Sequence, residues 1–169
     1  IKKMIKLYHK VILGIVVNSL IFSCNQNLET KPIVEDKLSR ELMFEKGIEI
    51  KNTNFNGNAW LKMLIAEDSI NRNSVGIVTF EPSSRTNWHY HPNGQIIISI
   101  GGEGYYQEKG APKNILKKGD VVKCPPNLPH WHGASESQEF IQIAITSRID
   151  GPTVWLDPVL EEEYHAKVN

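Results

Sequence analysis

WHYHPNGQ, residues 88–95, places two histidines one residue apart, then a proline, an asparagine-glycine pair and a glutamine. In an extended strand, residues two apart point to the same face, so His89 and His91 project their imidazoles to one side. Asn93-Gly94 is a strong tight-turn signal, which starts the next strand at Gln95, beside His91 as across a β-hairpin. A second pair, His130 and His132, repeats the spacing, and the two pairs hold four of the six histidines in the chain. Two imidazoles and an amide oxygen from the first stretch, joined by one imidazole from the second, make a four-donor site with room for water or substrate. Imidazole suits zinc, iron, nickel and manganese alike. The competing reading puts each His-x-His pair on a solvent-facing strand as plain polar decoration. The second pair, and the apolar bulk of Trp88 and Trp131 beside the histidines, favour a dried metal pocket.

Outward from this stretch the chain alternates short β-branched and aromatic runs with turn signals. The runs are residues 60–66, 74–80, 95–100, 104–108, 120–124 and 139–146, separated by Asn-Gly, Gly-Gly, Lys-Gly and Pro-Pro. Six or more strands at this spacing predict an all-β sandwich or barrel. Asp36–Lys46 reads as a short helix with Leu38, Leu42 and Met43 on one face, and Leu160–Lys167 as a terminal helix.

The first residues carry a different signal. Lys2, Lys3, Lys6 and Lys10 precede an apolar run, Val11–Phe22, that ends at Cys24. Twelve residues are too few for a membrane-spanning helix, which takes roughly 20. The segment Leu20-Ile21-Phe22-Ser23-Cys24 resembles a bacterial lipobox, which implies cleavage before Cys24 and lipidation of its thiol; an ordinary cleaved leader is the alternative. Removing residues 1–23 takes away four lysines and no acids, so the 19 basic side chains fall to 15 against 19 acidic ones. That balance leaves no basic patch for nucleic acid. Cys124 is then the remaining cysteine, excluding an intrachain disulfide, and its apolar strand marks it as core filler rather than nucleophile. Residues from Asn25 to about Lys37 are polar and aperiodic, as in a tether.

With these residues in view, the chain resembles the cupin superfamily. His89-Tyr90-His91, then Gln95, then six residues to Gly102 follow the first cupin motif; Gly119, Pro125 and His130 follow the second. The chain departs from the pattern at Ser83 and Asn127, each in place of a glycine, and at Gln95, in place of the usual glutamate. The segments 78–95, 119–134 and 143–151 are similar to small bacterial cupins that act as manganese-dependent hydroxynitrile lyases, a group that shares the glutamine. A further pocket histidine of that group falls on Gln142 here.

The resemblance implies a single-domain cupin barrel, a jelly-roll or double-stranded β-helix, over residues 38–169 with its core at 75–147. Before it lie a lipoprotein signal peptide at 1–23 and a linker at 24–37. It further implies one divalent metal, manganese first, with iron, nickel or zinc as alternatives, held by His89, His91, Gln95 and His130. His132 falls on a neighbouring non-ligand histidine. By parity it enters the same cavity, either as an acid-base group or as a satisfied neighbour of the ligands. Arg85 is expected either to hold a substrate carboxylate or to decorate the rim. Tyr106 and Gln142 are expected to line the barrel against a small-molecule substrate, and Trp155 to close the barrel or a dimer contact rather than stack on substrate.

Three neutral imidazoles and a neutral amide leave a divalent metal its full charge, which makes a stronger Lewis acid than a glutamate-bearing site; the glutamine is otherwise an ordinary variant. The functional expectations are a metal-dependent lyase acting on a small oxygenated organic molecule, a cupin dioxygenase using iron or nickel, or a non-catalytic envelope lipoprotein that binds a small ligand. A homodimer paired through a sheet edge, tied to the membrane of a bacterial cell envelope through its lipid alone, completes the expectation.

Overall fold

A computed structural model describes residues 44–168. The signal segment, Cys24 and the linker therefore lie outside the described residues, as does most of the expected helix at 36–46. The part of that helix that is described, 44–46, is not helical.

The described chain is antiparallel β structure curled into a half-barrel. One sheet holds β1 (Ile48–Glu49), β3 (Ala59–Ile65), β4 (Asn73–Phe80), β9 (Val121–Cys124) and β11 (Phe140–Ser147). The other holds β2 (Phe55–Asn56), β5 (Arg85–Thr86), β6 (His89–Tyr90), β8 (Asn114–Lys117), β10 (His130–Ala134) and β12 (Val154–Trp155). A single strand, β7 (Gln95–Glu108), belongs to both: its first half pairs with β9 and β11, its second with β8 and β10. The sequence reads this stretch as two strands because of Gly101-Gly102. The glycines bend one strand instead, with a register shift at Ile141/Gln142 of β11. Gly102 has φ +67°, and a Cβ there would collide with the Glu139 carbonyl, so the corner where the sheet curls needs a residue without a side chain.

The expected hairpin between the histidine pair and Gln95 is not a ladder. The turn forms, with Gly94 N donating to His91 O at 3.0 Å, but β6 pairs with β10 and β12 rather than with β7. The turn carries the chain from one sheet to the other, so His89 and His91 face Gln95 across the barrel mouth.

Alternation decides the interior. Ser74, Gly76 and Val78 from β4, and Gln142, Ala144 and Thr146 from β11, point into the half-barrel. The closed end is packed by Val78, Phe80, Ile97, Tyr106, Leu116, Cys124 and Phe140. Cys124 is the expected core filler, and burial pushes its thiol up to about 12, far from a reactive thiolate.

Trp88 and Trp131 do not dry the metal pocket as expected. They alternate with the histidines and so face outward, joining Tyr105, Val159 and Tyr164 in a second cluster beneath the C-terminal segment. That segment ends in α1 (Glu161–Tyr164), shorter than the expected terminal helix.

Candidate metal centre

The histidines of the two pairs converge at the mouth of the half-barrel. His130 lies opposite His89 in the β6–β10 pairing, with ring centroids 4.5 Å apart, and His91 is 5.1 Å from His89 and 5.5 Å from His130. All are almost fully buried. Burial first, and then the neighbouring imidazoles, hold His89 well below the usual histidine range and His91 at about 3. Burial likewise lowers His130. The rings are therefore neutral at pH 7, the state in which imidazole ligates a metal.

One end of each candidate ligand is already occupied. His89 Nδ1 meets the Asn87 carbonyl at 2.9 Å, His130 Nδ1 the Leu128 carbonyl at 3.0 Å, and His91 Nδ1 the Thr153 hydroxyl at 3.1 Å. Two of these acceptors are carbonyls, which take only a proton donor, so the proton sits on Nδ1 and Nε2 turns inward. Gln95 follows the same logic, its Nε2 donating to Thr146 Oγ1 at 3.0 Å. At the opposite ends, His91 Nε2, His130 Nε2 and Gln95 Oε1 are buried without a hydrogen-bond partner. Orphaned buried polar atoms are costly. A divalent cation satisfies them together, and outward hydrogen bonds of this kind are what orient ligands around a metal. The donor set thus fits a divalent metal.

The tightest convergence among the described residues is a different trio. His89, His130 and His132 bring donor nitrogens within 4.8 Å of one another. These three buried histidines are able to hold a metal. His132 differs from the others in that neither ring nitrogen has a partner, and burial keeps it well below the usual histidine range. Its backbone N–H donates to Thr86 Oγ1 at 3.2 Å, and its ring meets Phe80 edge-on at 5.8 Å.

A cavity of about 130 Å³ opens beside these groups. Its lining mixes apolar side chains, Phe55, Leu61, Met63, Val78 and Trp155, with the polar His132, Gln142, Thr86 and Arg148. Gln142 is completely buried, and both its amide atoms lack a partner. Trp155 lies tilted against His89 at 4.8 Å and Phe55 at 5.6 Å, so it lines the cavity. Its place follows from the Trp155–His89 pairing of β12 with β6, a two-residue strand too short to read from periodicity.

Two expected substrate contacts lie elsewhere. Arg85 alternates with the cavity residue Thr86 and turns outward, where it pairs with Glu161 at 2.6 Å and stacks on the Tyr164 ring at 4.3 Å. Tyr106 points inward but sits behind His130 in the core, its hydroxyl donating to Glu108 at 3.0 Å. Arg148 was not singled out by the sequence; its inward position beyond Thr146 is visible only once β11 is known to end at Ser147.

Ser83 and Asn127, which stand where the motifs carry glycine, adopt φ +67° and +59°. The backbone keeps the left-handed conformation of the pattern although the glycines are gone.

Comparison with known proteins agrees with this geometry. The cupin domain family matches residues 76–146. The (R)-mandelonitrile lyase of Granulicella tundricola is 43% identical over 88 residues, covering 52% of this chain and 67% of that protein. A cupin-like protein from Thermotoga maritima, known as a crystal structure, is 48% identical and superposes with a TM-score of 0.71 over 73% of this chain and 95% of its own. A cupin 2 conserved barrel domain protein from Rhodopseudomonas palustris shares the fold at 14% identity, with a TM-score of 0.56 over 64% of this chain and 74% of its own. The chain belongs to the cupin family.

Proposed function

We propose that this cupin is a metal-dependent enzyme that cleaves or forms a carbon–carbon bond in a small hydroxylated molecule, with chemistry of the hydroxynitrile lyase kind. The observation that carries the proposal is the set of buried polar atoms without a partner on His91, His130 and Gln95, each held at its other end. With His89 they would hold one divalent ion, manganese in first place. That ion supplies Lewis acidity toward an oxygen that gains negative charge, undiminished by any ligand carboxylate.

The remaining steps belong to the chain. The apolar lining from Phe55, Leu61 and Trp155 seats the organic part of the substrate and excludes water. A cavity of about 130 Å³ is close in size to one of about 150 Å³ that takes up benzene, which sets the scale of the substrate. Burial keeps His132 neutral at neutral pH, the form that accepts a proton. In a cyanohydrin, His132 takes the hydroxyl proton while the bond to the nitrile carbon breaks and its electron pair leaves as cyanide; the same proton then returns to the cyanide. Gln142 holds a polar substrate group through its open amide but carries no proton.

A second ligand set rests on one observation, the closer convergence of His89, His130 and His132. In that arrangement His132 is a ligand and His91, which also lines the cavity, is the imidazole left free. The anchored Nδ1 of His91, against the unanchored ring of His132, favours His91 as the ligand.

The proposal extends to an envelope lipoprotein anchored through Cys24, for which the lysine leader and the lipobox-like segment are the support, and to a homodimer paired through a sheet edge. The test of the chemistry is mandelonitrile cleavage by manganese-, iron- and zinc-loaded protein. Turnover with at least one metal is expected, falling on the order of 10²-fold to 10⁴-fold in His132→Ala. No turnover with any metal would contradict it.

A further inference from the structure

Arg148 reaches the same cavity as His91, Gln95 and His132. Its Nη1 donates to Thr153 Oγ1 at 2.8 Å and its Nε to Ser74 Oγ at 3.4 Å. Both partners are neutral. Among the described residues no carboxylate lies within ion-pair distance of it, and neither aspartate nor glutamate lines the cavity. The contrast with Arg85 is sharp: that guanidinium is buried and has Glu161. Arg148 is only partly buried, yet it is fixed at two of its nitrogens and leaves Nη2 without an acidic partner.

Its charge also adds to an unusual neighbourhood. Thr153 Oγ1 is 3.1 Å from His91 Nδ1, so the cation stands one hydroxyl from a proposed ligand. Three imidazoles and an amide contribute no negative charge, and a bound divalent ion would keep all of its own. The cavity is then positive on two sides with nothing to balance it, and a small space of one sign concentrates ions of the other. The planar fork of a guanidinium matches a carboxylate in particular.

We propose that the cavity takes a small carboxylate, a 2-hydroxy or 2-oxo acid, with the carboxylate on Arg148 and the adjacent oxygen function toward His132. The inference rests on the metal-dependent reading above for the oxygen function and on Arg148 alone for the carboxylate. Ser74 and Thr153 hold the fork in place, and the apolar lining takes the side group of the acid.

The test is isothermal titration calorimetry with mandelate and with mandelamide, which match in size and differ in charge. The full chain is titrated both zinc-loaded and metal-stripped, as wild type, R148Q and R148K, with urea unfolding to verify that each variant is folded. Wild type is expected to bind mandelate at least about tenfold more tightly than mandelamide, the least that one charge-assisted contact supplies. R148Q loses that preference, and R148K, which keeps the charge without the fork, keeps part of it. Equal affinity of wild type for the two probes, or an unchanged preference in R148Q, overturns the proposal. Equal loss in R148K and R148Q also overturns it and leaves Arg148 a positioning residue for Thr153. A preference that persists in metal-stripped protein and disappears in R148Q supports Arg148 even when the zinc-loaded sample proves to hold no zinc, an outcome that contradicts the metal reading alone.

Discussion

Gln95 donates through Nε2 to Thr146 Oγ1 at 3.0 Å, and that bond leaves Oε1 as the buried, unpartnered end of the amide in the cavity that His89 and His91 also line. An amide is nearly symmetric and turns end for end unless one end is held. Thr146→Val removes the acceptor at almost constant volume, so metal affinity should fall about 10-fold to 100-fold while the fold persists. Competition with a chromophoric chelator measures this; unchanged affinity would mean that Gln95 is not held by Thr146 or is not a ligand.

The neutral histidines link stability to pH. Their folded values lie below the unfolded value, with His91 at about 3 and His89, His130 and His132 lowered by burial. In acid the unfolded chain therefore binds more protons than the folded one, and stability falls as pH drops below the unfolded histidine value of about 6.5. For metal-stripped protein the loss between pH 6.5 and 5.5 should be about 1 kcal/mol from His91, with His89 and His132 adding in the same direction. Urea unfolding at the two pH values measures it, and a flat profile would mean that the rings are protonated or solvated.

Arg85 and Arg148 should separate cleanly in mutants. Arg85→Ala removes the Glu161 pair, a bond to the Val159 carbonyl at 3.3 Å and the stacking on Tyr164, which loosens the C-terminal segment. The expected loss is on the order of 2 kcal/mol in urea unfolding, with metal affinity unchanged. A change in metal affinity without a change in stability would place Arg85 in the cavity after all.

The left-handed backbone at Ser83 and Asn127 gives a stability prediction. A non-glycine residue there costs roughly 1–2 kcal/mol, partly offset because glycine loses more entropy on folding. Ser83→Gly and Asn127→Gly should each stabilise by about 0.5 kcal/mol, and a destabilising change in thermal unfolding would show that their side chains matter more than their φ.

Much of the site was legible because it depends on parity. His-x-His spacing fixes two side chains on one face whichever strand partners are chosen, so the shared direction of His89 with His91, and of His130 with His132, needed no topology. The same rule, applied to the neighbours, sends Trp88 and Trp131 to the other face, whereas Arg85, four residues before His89, escapes it because the strand is interrupted between Thr86 and His89. These departures from expectation came from treating nearness in sequence as nearness in space. What parity does not carry is pairing. That β6 pairs with β10 and β12 rather than β7, and that Trp155 lies on His89, depends on two-residue strands with no periodic signal. Arg148 and Thr153 come from a connection after β11, where side-chain direction is set by tertiary packing.

Elemental analysis of protein purified without added metal, with His91→Ala and His132→Ala beside the wild type, bears most directly on the centre proposed here. One divalent ion per chain is predicted in wild type, retained in His132→Ala and lost in His91→Ala, because His91 is the anchored ligand and His132 the free acid-base group. Loss in His132→Ala with retention in His91→Ala would establish the trio of His89, His130 and His132 as the ligands instead, and a metal-free wild type would contradict the centre altogether.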